Sequence, residues 1–323
     1  MHGNCSLDYH SCFAMAPLSP KPSLFRRFVS FMGWTRSSYA ILGAFSAIVL
    51  LIVYVWWPLA QMVLAYIDWH GPWWRYMDWL LVGIFLFMSL VIMAGADLRT
   101  DALIVLVGAL GGLVIEGWGT QTYLWWYFTA QRPPLWIIPA WPIASLTIDR
   151  MVRFLHVSLP FGDDVRGGAL PLKQSPGLRG DCFVAHRPAF GAGQNAPRND
   201  IFKAIYWLIF PAFYALMLYF VWPTMGKSLT LLALLLVTFL ILTPTDYRFA
   251  VLTFVAGSAL GYFLERWGTT RECWTYYTFQ KPPFFAVLAH GMAAVAFWRA
   301  GEVVKMVWGE LTAKMRRTQR KPL

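Results

Sequence analysis

The chain has 323 residues, of which 58% are hydrophobic and 13% are charged, and its mean hydropathy is +0.50. Because a soluble domain carries about 25% charged residues, this composition excludes an ordinary soluble protein. The formal net charge of +11 would suggest nucleic acid in a soluble chain, but here the basic residues sort by side of a membrane, so no nucleic-acid partner is expected.

Eight apolar stretches approach the length of about 20 residues that crosses a bilayer. In chain order they are 39–67, 79–96, 102–116, 133–148, 204–223, 229–245, 249–264 and 282–298. Segments of this kind satisfy their backbone hydrogen bonds in lipid as helices. The sequence therefore predicts an all-α, polytopic membrane protein with about eight transmembrane helices. The region before residue 39 has no apolar core of a signal peptide, so the first span is expected to act as an uncleaved insertion signal.

The distribution of basic residues predicts the orientation. If the N-terminus lies inside, 17 of the 27 Lys and Arg residues fall in inner segments, five fall in outer loops and five lie at helix ends. A bias of this size in short loops orients a membrane protein with the basic side in the cytoplasm. Both termini are therefore expected in the cytoplasm, and the chain is expected in the inner membrane.

An internal repeat is the strongest pattern in the sequence. Residues 97–150 align with 246–299 without a gap at an offset of 149, with 18 identities in 54 positions. The shared residues include Glu-x-Trp-Gly-Thr and Gln-[Arg/Lys]-Pro-Pro, which apolar helices do not match by chance. Upstream, Tyr54, Trp57 and Pro58 correspond to Tyr219, Trp222 and Pro223 at offset 165. This pattern predicts two tandem four-helix repeats, and an even number of spans gives both repeats the same orientation.

The resulting organisation has five parts. A cytoplasmic N-terminal tail (1–38) precedes the first membrane repeat (39–155), and a Gly/Pro-rich stretch (156–200) is expected to be a flexible cytoplasmic linker. The second repeat (201–304) and a basic cytoplasmic tail (305–323) follow. Pairs of glycines four residues apart, at 108/112 and 257/261, predict close helix contacts.

Metal and cofactor motifs are not expected to contribute. His2, Cys5, His10 and Cys12 match no zinc spacing. Three of the four cysteines fall on the predicted cytoplasmic side, which argues against a disulfide framework. No phosphate-binding loop, nucleophile elbow or metalloprotease motif is present, so the sequence predicts no cofactor.

Glu116 and Glu265 are the candidate catalytic residues. They occupy equivalent positions near the outer ends of the third helices of the two repeats. Ionisable residues inside a membrane are costly and usually functional. The alternative is a structural role, in which each carboxyl accepts hydrogen bonds from Trp or backbone N–H groups of the following loop. Arg266 directly follows Glu265 and is expected to hold it in an unreactive ion pair, which favours Glu116 as the active copy.

The candidate substrate-binding residues are aromatic. They are Trp118, Trp125 and Tyr127 in the first repeat, and Trp267, Trp274, Tyr276 and His290 in the second. Aromatic faces stabilise cations, so an acid beside them is suited to protonate a polyene and hold the carbocation. The same arrangement also suits a quaternary ammonium group or a lipid tail.

Residues 116–141 resemble the membrane proteins of carotenoid biosynthesis that hydrate or cyclise the ends of polyenes. The likeness consists of a membrane Glu, then Gly-Thr, a Trp-x-Tyr segment and a Pro-rich entry into a span, over some 26 residues per repeat. The resemblance implies that Glu116 or Glu265 donates a proton to an isoprenoid double bond. Two other classes stay open from the residues alone: a carrier that binds a cation, proton or small solute at the paired Glu, and a non-catalytic subunit of a membrane complex. The expected partners are a membrane lipid or isoprenoid, and further protein copies or subunits within the membrane.

Overall fold

The computed structural model describes residues 23–159 and 196–319, and helices dominate this part of the chain. The N-terminal His and Cys residues, and residues 160–195 of the expected linker, lie outside it. The α-helices are α1 (Leu24–Phe31), α2 (Arg36–Val55), α3 (Trp57–Leu64), α4 (Trp79–Ile92), α5 (Leu98–Gln121), α6 (Ala140–Ser158), α7 (Ala196–Val221), α8 (Ser228–Leu242), α9 (Tyr247–Thr270) and α10 (Phe284–Gln319). Short 3-10 helices cover Trp73–Tyr76 and Trp222–Thr224.

Five helical segments of the described chain are long and apolar enough to cross a membrane. They are Arg36–Val55, Leu98–Gln121, Asp200–Thr224, Tyr247–Thr270 and Phe284–Thr312. The helices α4 and α8 are also apolar but have only 14 and 15 residues, and α6 carries three charged residues among its 19. Outer surfaces expose large apolar side chains, for example Leu208 at 75% and Leu235 at 69%. Apolar surfaces of this extent suit a lipid environment.

Acidic residues begin the central helices. The Asp97 carboxylate accepts from the N–H of Arg99 at 3.0 Å at the start of α5, and the Asp246 carboxylate accepts from the N–H of Phe249 at 2.9 Å at the start of α9. Side chains of this type satisfy backbone donors that a helix start leaves unpaired.

The helices α5, α6, α9 and α10 pack against one another in the middle of the molecule. Cβ atoms added at Gly108 and Gly257 would lie 3.0 Å from the Pro142 backbone and 2.8 Å from the Gly291 backbone. The predicted close contacts at the glycine pairs are therefore confirmed.

Two short strands join the halves. Strand β1 (Trp125–Tyr127) follows α5, and β2 (Trp274–Tyr276) follows α9. They pair antiparallel, with Trp125 opposite Tyr276 and Tyr127 opposite Trp274. We call the end of the bundle that carries them the strand-side end, and the opposite end, where α6 ends and α7 begins, the linker-side end. The all-α prediction missed these strands because three residues are too few to show an alternating pattern.

Several predicted boundaries were wrong. The first span (39–67) is divided at Trp56 because Pro58 lacks an N–H group and its ring clashes with the carbonyl four residues before it. The fourth span was placed at 133–148, but α6 starts at Ala140 because Pro133 and Pro134 precede it. Helix also extends into regions assigned to tails and linker, at 24–31, 156–158, 196–200 and 305–319.

Candidate functional site

The Glu116 carboxyl is buried near the strand-side end of α5 and accepts three hydrogen bonds from side chains. The Tyr127 hydroxyl donates to Oε1 at 2.8 Å, and the Trp141 Nε1–H donates to Oε1 at 3.2 Å. The Trp125 Nε1–H donates to Oε2 at 3.1 Å. With an exposed fraction of 3%, Glu116 has these donors in place of water.

The Glu265 carboxyl lies in the same setting, 149 residues later. The Tyr276 hydroxyl donates to Oε1 at 2.9 Å, and the Trp274 Nε1–H donates to Oε2 at 3.0 Å. His290 takes the place of the third donor, with Nε2 at 2.9 Å from Oε1. Glu265 is also 3% exposed. The second site therefore differs from the first in one partner, which can exchange a proton where an indole cannot.

A glycine in each helix makes room for the indole that reaches the carboxyl. A Cβ atom at Gly119 would lie 1.8 Å from Cη2 of Trp125, and one at Gly268 would lie 1.9 Å from Cη2 of Trp274. Any larger residue at these positions would displace the ring. This explains the glycine of the Gly-Thr dipeptide that follows Glu-x-Trp in the sequence: after each helix the chain turns back and places the indole of the strand against that glycine.

The strand pair brings the two carboxyl sites together. The rings of Trp125 and Tyr276 approach to 5.9 Å between centroids, and those of Tyr127 and Trp274 approach to 6.0 Å. The Trp141 and His290 rings stack at 5.9 Å with planes 19° apart. The donors of each carboxyl therefore contact donors of the other, and the two sites form one buried aromatic cluster.

Trp118 and Trp267, predicted to bind substrate, do not contact the carboxyls. The Trp118 indole donates to the Thr230 hydroxyl at 3.1 Å, and the Trp267 indole donates to the Asp78 carboxylate at 2.8 Å. Their rings contact those of the two indole donors, at 6.0 Å and 6.3 Å. They hold those rings in place. Trp118 links the first site to α8, and Trp267 links the second site to the N-terminal end of α4.

The expected ion pair between Arg266 and Glu265 was wrong. Arg266 is exposed and donates to the carbonyl of Lys281 at 3.4 Å. Adjacent residues on a helix point in different directions, so Arg266 faces outward while Glu265 faces the core. His290 is instead the titratable partner of Glu265.

Trp141 is the site residue that the candidate set missed. It contacts Glu116 directly and aligns with His290 at the offset of 149. The alignment of Trp141 with His290 is clear from the sequence, but Trp141 was not among the candidate binding residues. The repeat itself was the signal that identifies it.

The two tyrosines of the cluster remain hydroxyl donors at neutral pH. Burial, followed by the neighbouring Glu116 carboxyl, raises the pKa of Tyr127 well above its ordinary value. Burial, followed by the Glu265 carboxyl, also raises the pKa of Tyr276 well above its ordinary value. Both hydroxyls therefore keep their protons when they face the carboxyl oxygens.

The hydrogen bonds are distributed unequally over the two oxygens of each carboxyl. A carboxylate offers about four lone-pair positions. In both sites Oε1 receives two partners and Oε2 receives one. One lone-pair position on each Oε2 therefore has no side-chain partner.

Within residues 23–159 and 196–319 no group of three or more His, Cys, Asp or Glu side chains is placed to hold a metal ion.

Comparisons of the chain with protein-family models, curated proteins and solved structures found no match.

Proposed function

We propose that the chain is a duplicated membrane protein with two four-helix halves of the same orientation and eight spans. The support is the recurrence, at an offset of 149, of the helix caps, the glycine contacts and both carboxyl sites. In this arrangement α4, α6 and α8 cross together with the five longer segments.

In the proposed arrangement the chain lies in the inner membrane, and both of its termini are in the cytoplasm. The supporting observation is the excess of basic residues in the sequence segments predicted to lie inside. Reporter fusions after residues 170 and 310 should both report cytoplasm. A periplasmic signal from either fusion would contradict the parallel arrangement.

We infer that the chain is an enzyme that uses a buried carboxyl as an acid on an apolar isoprenoid or lipid. The observation that carries this inference is the pair of carboxyls, each with three side-chain partners and one open position on Oε2. A protonated carboxyl keeps one O–H donor for a substrate. After the proton leaves, the same partners stabilise the carboxylate, as donors aimed at a developing negative charge do in other enzymes.

The proposed step protonates a carbon–carbon double bond. The Glu116 O–H bond breaks, a C–H bond forms with the π electrons, and a carbocation remains on the neighbouring carbon. Aromatic faces of the cluster stabilise that cation. The positive charge is removed when an adjacent carbon loses a proton, or when water adds and loses one. The Glu265–His290 pair accepts this proton, and its transfer back to Glu116 closes the cycle.

Glu116 is assigned as the acid because of its partners. Two indoles and a tyrosine hydroxyl surround it, and none of these takes its proton at neutral pH. Glu265 shares a hydrogen bond with the His290 imidazole, a ring that can both donate and accept a proton. That pair is better suited to accept a proton and pass it on.

A cation carrier is less well supported. Cation sites are built from oxygen atoms that offer lone pairs. Here three donors already point at the Glu116 carboxyl, because Trp125, Tyr127 and Trp141 direct hydrogens toward its oxygens. A metal cation would have to displace these donors and leave them unpaired.

Expression in a bacterial strain that accumulates linear polyenes tests the proposed reaction. The wild-type chain should convert part of the polyene into a hydrated or cyclised product, detected by chromatography and mass spectrometry. Glu116→Gln should abolish the product while the protein still accumulates in the membrane. Wild-type protein that leaves both the polyenes and the lipid extract unchanged would favour a non-catalytic subunit.

A further inference from the structure

A second candidate site lies at the linker-side end, away from the strand pair. A cavity of about 610 Å³ opens there between α5, α6, α9 and α10. Its volume falls in the range of about 300–1,000 Å³ that is usual for ligand pockets. Because α5 and α6 belong to the first half of the chain and α9 and α10 to the second, the cavity lies where the halves meet.

The lining of the cavity changes from charged to apolar with depth. Arg99 on α5 and Lys305 on α10 lie at the mouth, and Val107 and Phe297 lie eight residues further along the same helices. At about 1.5 Å per residue, the cavity is about 12 Å deep. The Phe297 and Trp141 ring centroids are 5.9 Å apart. Because Trp141 belongs to the carboxyl cluster, only the Phe297 ring separates the inner end of the cavity from that cluster.

The mouth has one uncompensated positive charge among its described residues. Arg153 pairs with Asp149 at 2.9 Å, and Lys305 pairs with Glu302 at 2.9 Å. The Arg99 side chain has no hydrogen-bond or ion-pair partner in the described part of the chain, where only its backbone N–H is bonded. An anionic group at the mouth would therefore meet an arginine side chain that forms no ion pair within the described part of the chain.

We propose that this cavity binds an amphiphile with an anionic headgroup, whose apolar tail enters between the helices and whose head lies at Arg99. The apolar walls match the tail of such a ligand, and the basic mouth matches its anionic headgroup. Basic pockets between transmembrane helices on the cytoplasmic side bind anionic lipid heads in other membrane proteins. This site does not depend on the proposed carboxyl chemistry.

Gly301 and Gly309 allow a matched test of the tail. Both lie on α10, and a Cβ atom at either would meet no other atom within 4 Å. Only Gly301 lines the cavity. Gly301→Leu should therefore fill the cavity, whereas Gly309→Leu should add the same side chain outside it.

Native mass spectrometry of the full-length protein in detergent measures the binding. The probes are phosphatidylglycerol and phosphatidylcholine with identical acyl chains. Wild-type protein and Gly309→Leu should retain phosphatidylglycerol about fivefold better, the factor expected for one arginine near an anionic lipid head. Gly301→Leu should retain neither lipid above background, and free glycerophosphate should not compete.

Substitution of the arginine tests the headgroup and does not rely on packing, because the Arg99 side chain is exposed. Arg99→Gln should bind both lipids equally, whereas Arg75→Gln, at the strand-side end, should keep the preference. Unchanged retention in Gly301→Leu, or an unchanged preference in Arg99→Gln, would overturn the proposal. Equal loss in Gly309→Leu would show that the lipids bind elsewhere.

Discussion

Replacing the two glutamates by glutamine should affect stability unequally, although their sites look alike. Glutamine keeps the shape of glutamate but substitutes an NH₂ group for one carboxyl oxygen. At position 116, an NH₂ group at the Oε2 position faces the Trp125 N–H, and one at the Oε1 position faces the Trp141 N–H. Because indoles only donate, one buried donor loses its acceptor in either orientation.

The second site can accommodate the same change. With the NH₂ group at the Oε1 position of residue 265, the Tyr276 hydroxyl and the His290 Nε2 atom can both accept from it. The remaining oxygen still accepts from Trp274. The donor that loses its acceptor here is the Tyr276 hydroxyl, whose hydrogen can rotate toward another acceptor, whereas an indole N–H is fixed by its ring. This arrangement requires the His290 tautomer with its proton on Nδ1.

An orphaned buried donor costs about 1–3 kcal/mol. Because the indole orphaned at position 116 cannot turn to another acceptor, Glu116→Gln should lower the free energy of unfolding more than Glu265→Gln, by at most about 3 kcal/mol. Equilibrium unfolding in mixed micelles, followed by tryptophan fluorescence, measures the difference. Equal losses in the two variants, or a larger loss for Glu265→Gln, would refute the hydrogen-bond count.

Three further predictions concern packing and reactivity. Gly119→Ala should destabilise the protein and shift its tryptophan fluorescence, because the new methyl group would lie 1.8 Å from an indole carbon, whereas Gly117→Ala, which meets nothing within 4 Å, should not. Asp101→Asn should cost about 1.5–3 kcal/mol in denaturant unfolding, because the buried Arg150 guanidinium loses one of its two carboxylate partners and keeps Asp149; a loss below about 1 kcal/mol would contradict the buried pair. Burial raises the pKa of Cys273 to about 12, so in a variant whose other cysteines are replaced by serine, a maleimide should label the thiol at pH 7.5 only after denaturation.

The sequence predicted the membrane class and most site residues because both leave local patterns. Long apolar runs identify spanning helices, and residues such as Glu265 and Tyr276 were identified because they recur at a fixed offset. The hydrogen bonds from Trp125 and Trp274 to the carboxyls agree with the structural alternative stated from the sequence. The contact between the two sites was not predictable, because it depends on a strand pair between distant segments. The expected Arg266 ion pair failed for a similar reason: nearness in sequence was taken for contact, although the helix turns the two side chains apart.

Helix ends were predicted less well than the helices themselves. The break at Trp56 and the late start of α6 at Ala140 both follow from prolines that interrupt apolar runs. A hydropathy profile does not show that a proline interrupts a helix, so a run such as 133–148 was predicted to be a span although its first residues form turns. The cavity is also not predictable from the sequence, since its walls come from four helices, two of which are far from the other two along the chain.

Solvent isotope labelling of the reaction tests the central claim, that a buried carboxyl protonates a carbon–carbon double bond. The purified protein in lipid nanodiscs would be given a linear polyene in D₂O, and the product would be analysed by mass spectrometry. The account predicts carbon-bound deuterium in the product of the wild-type protein, and no product from Glu116→Gln. Product without carbon-bound deuterium, or labelled product at the wild-type rate from Glu116→Gln, would contradict it.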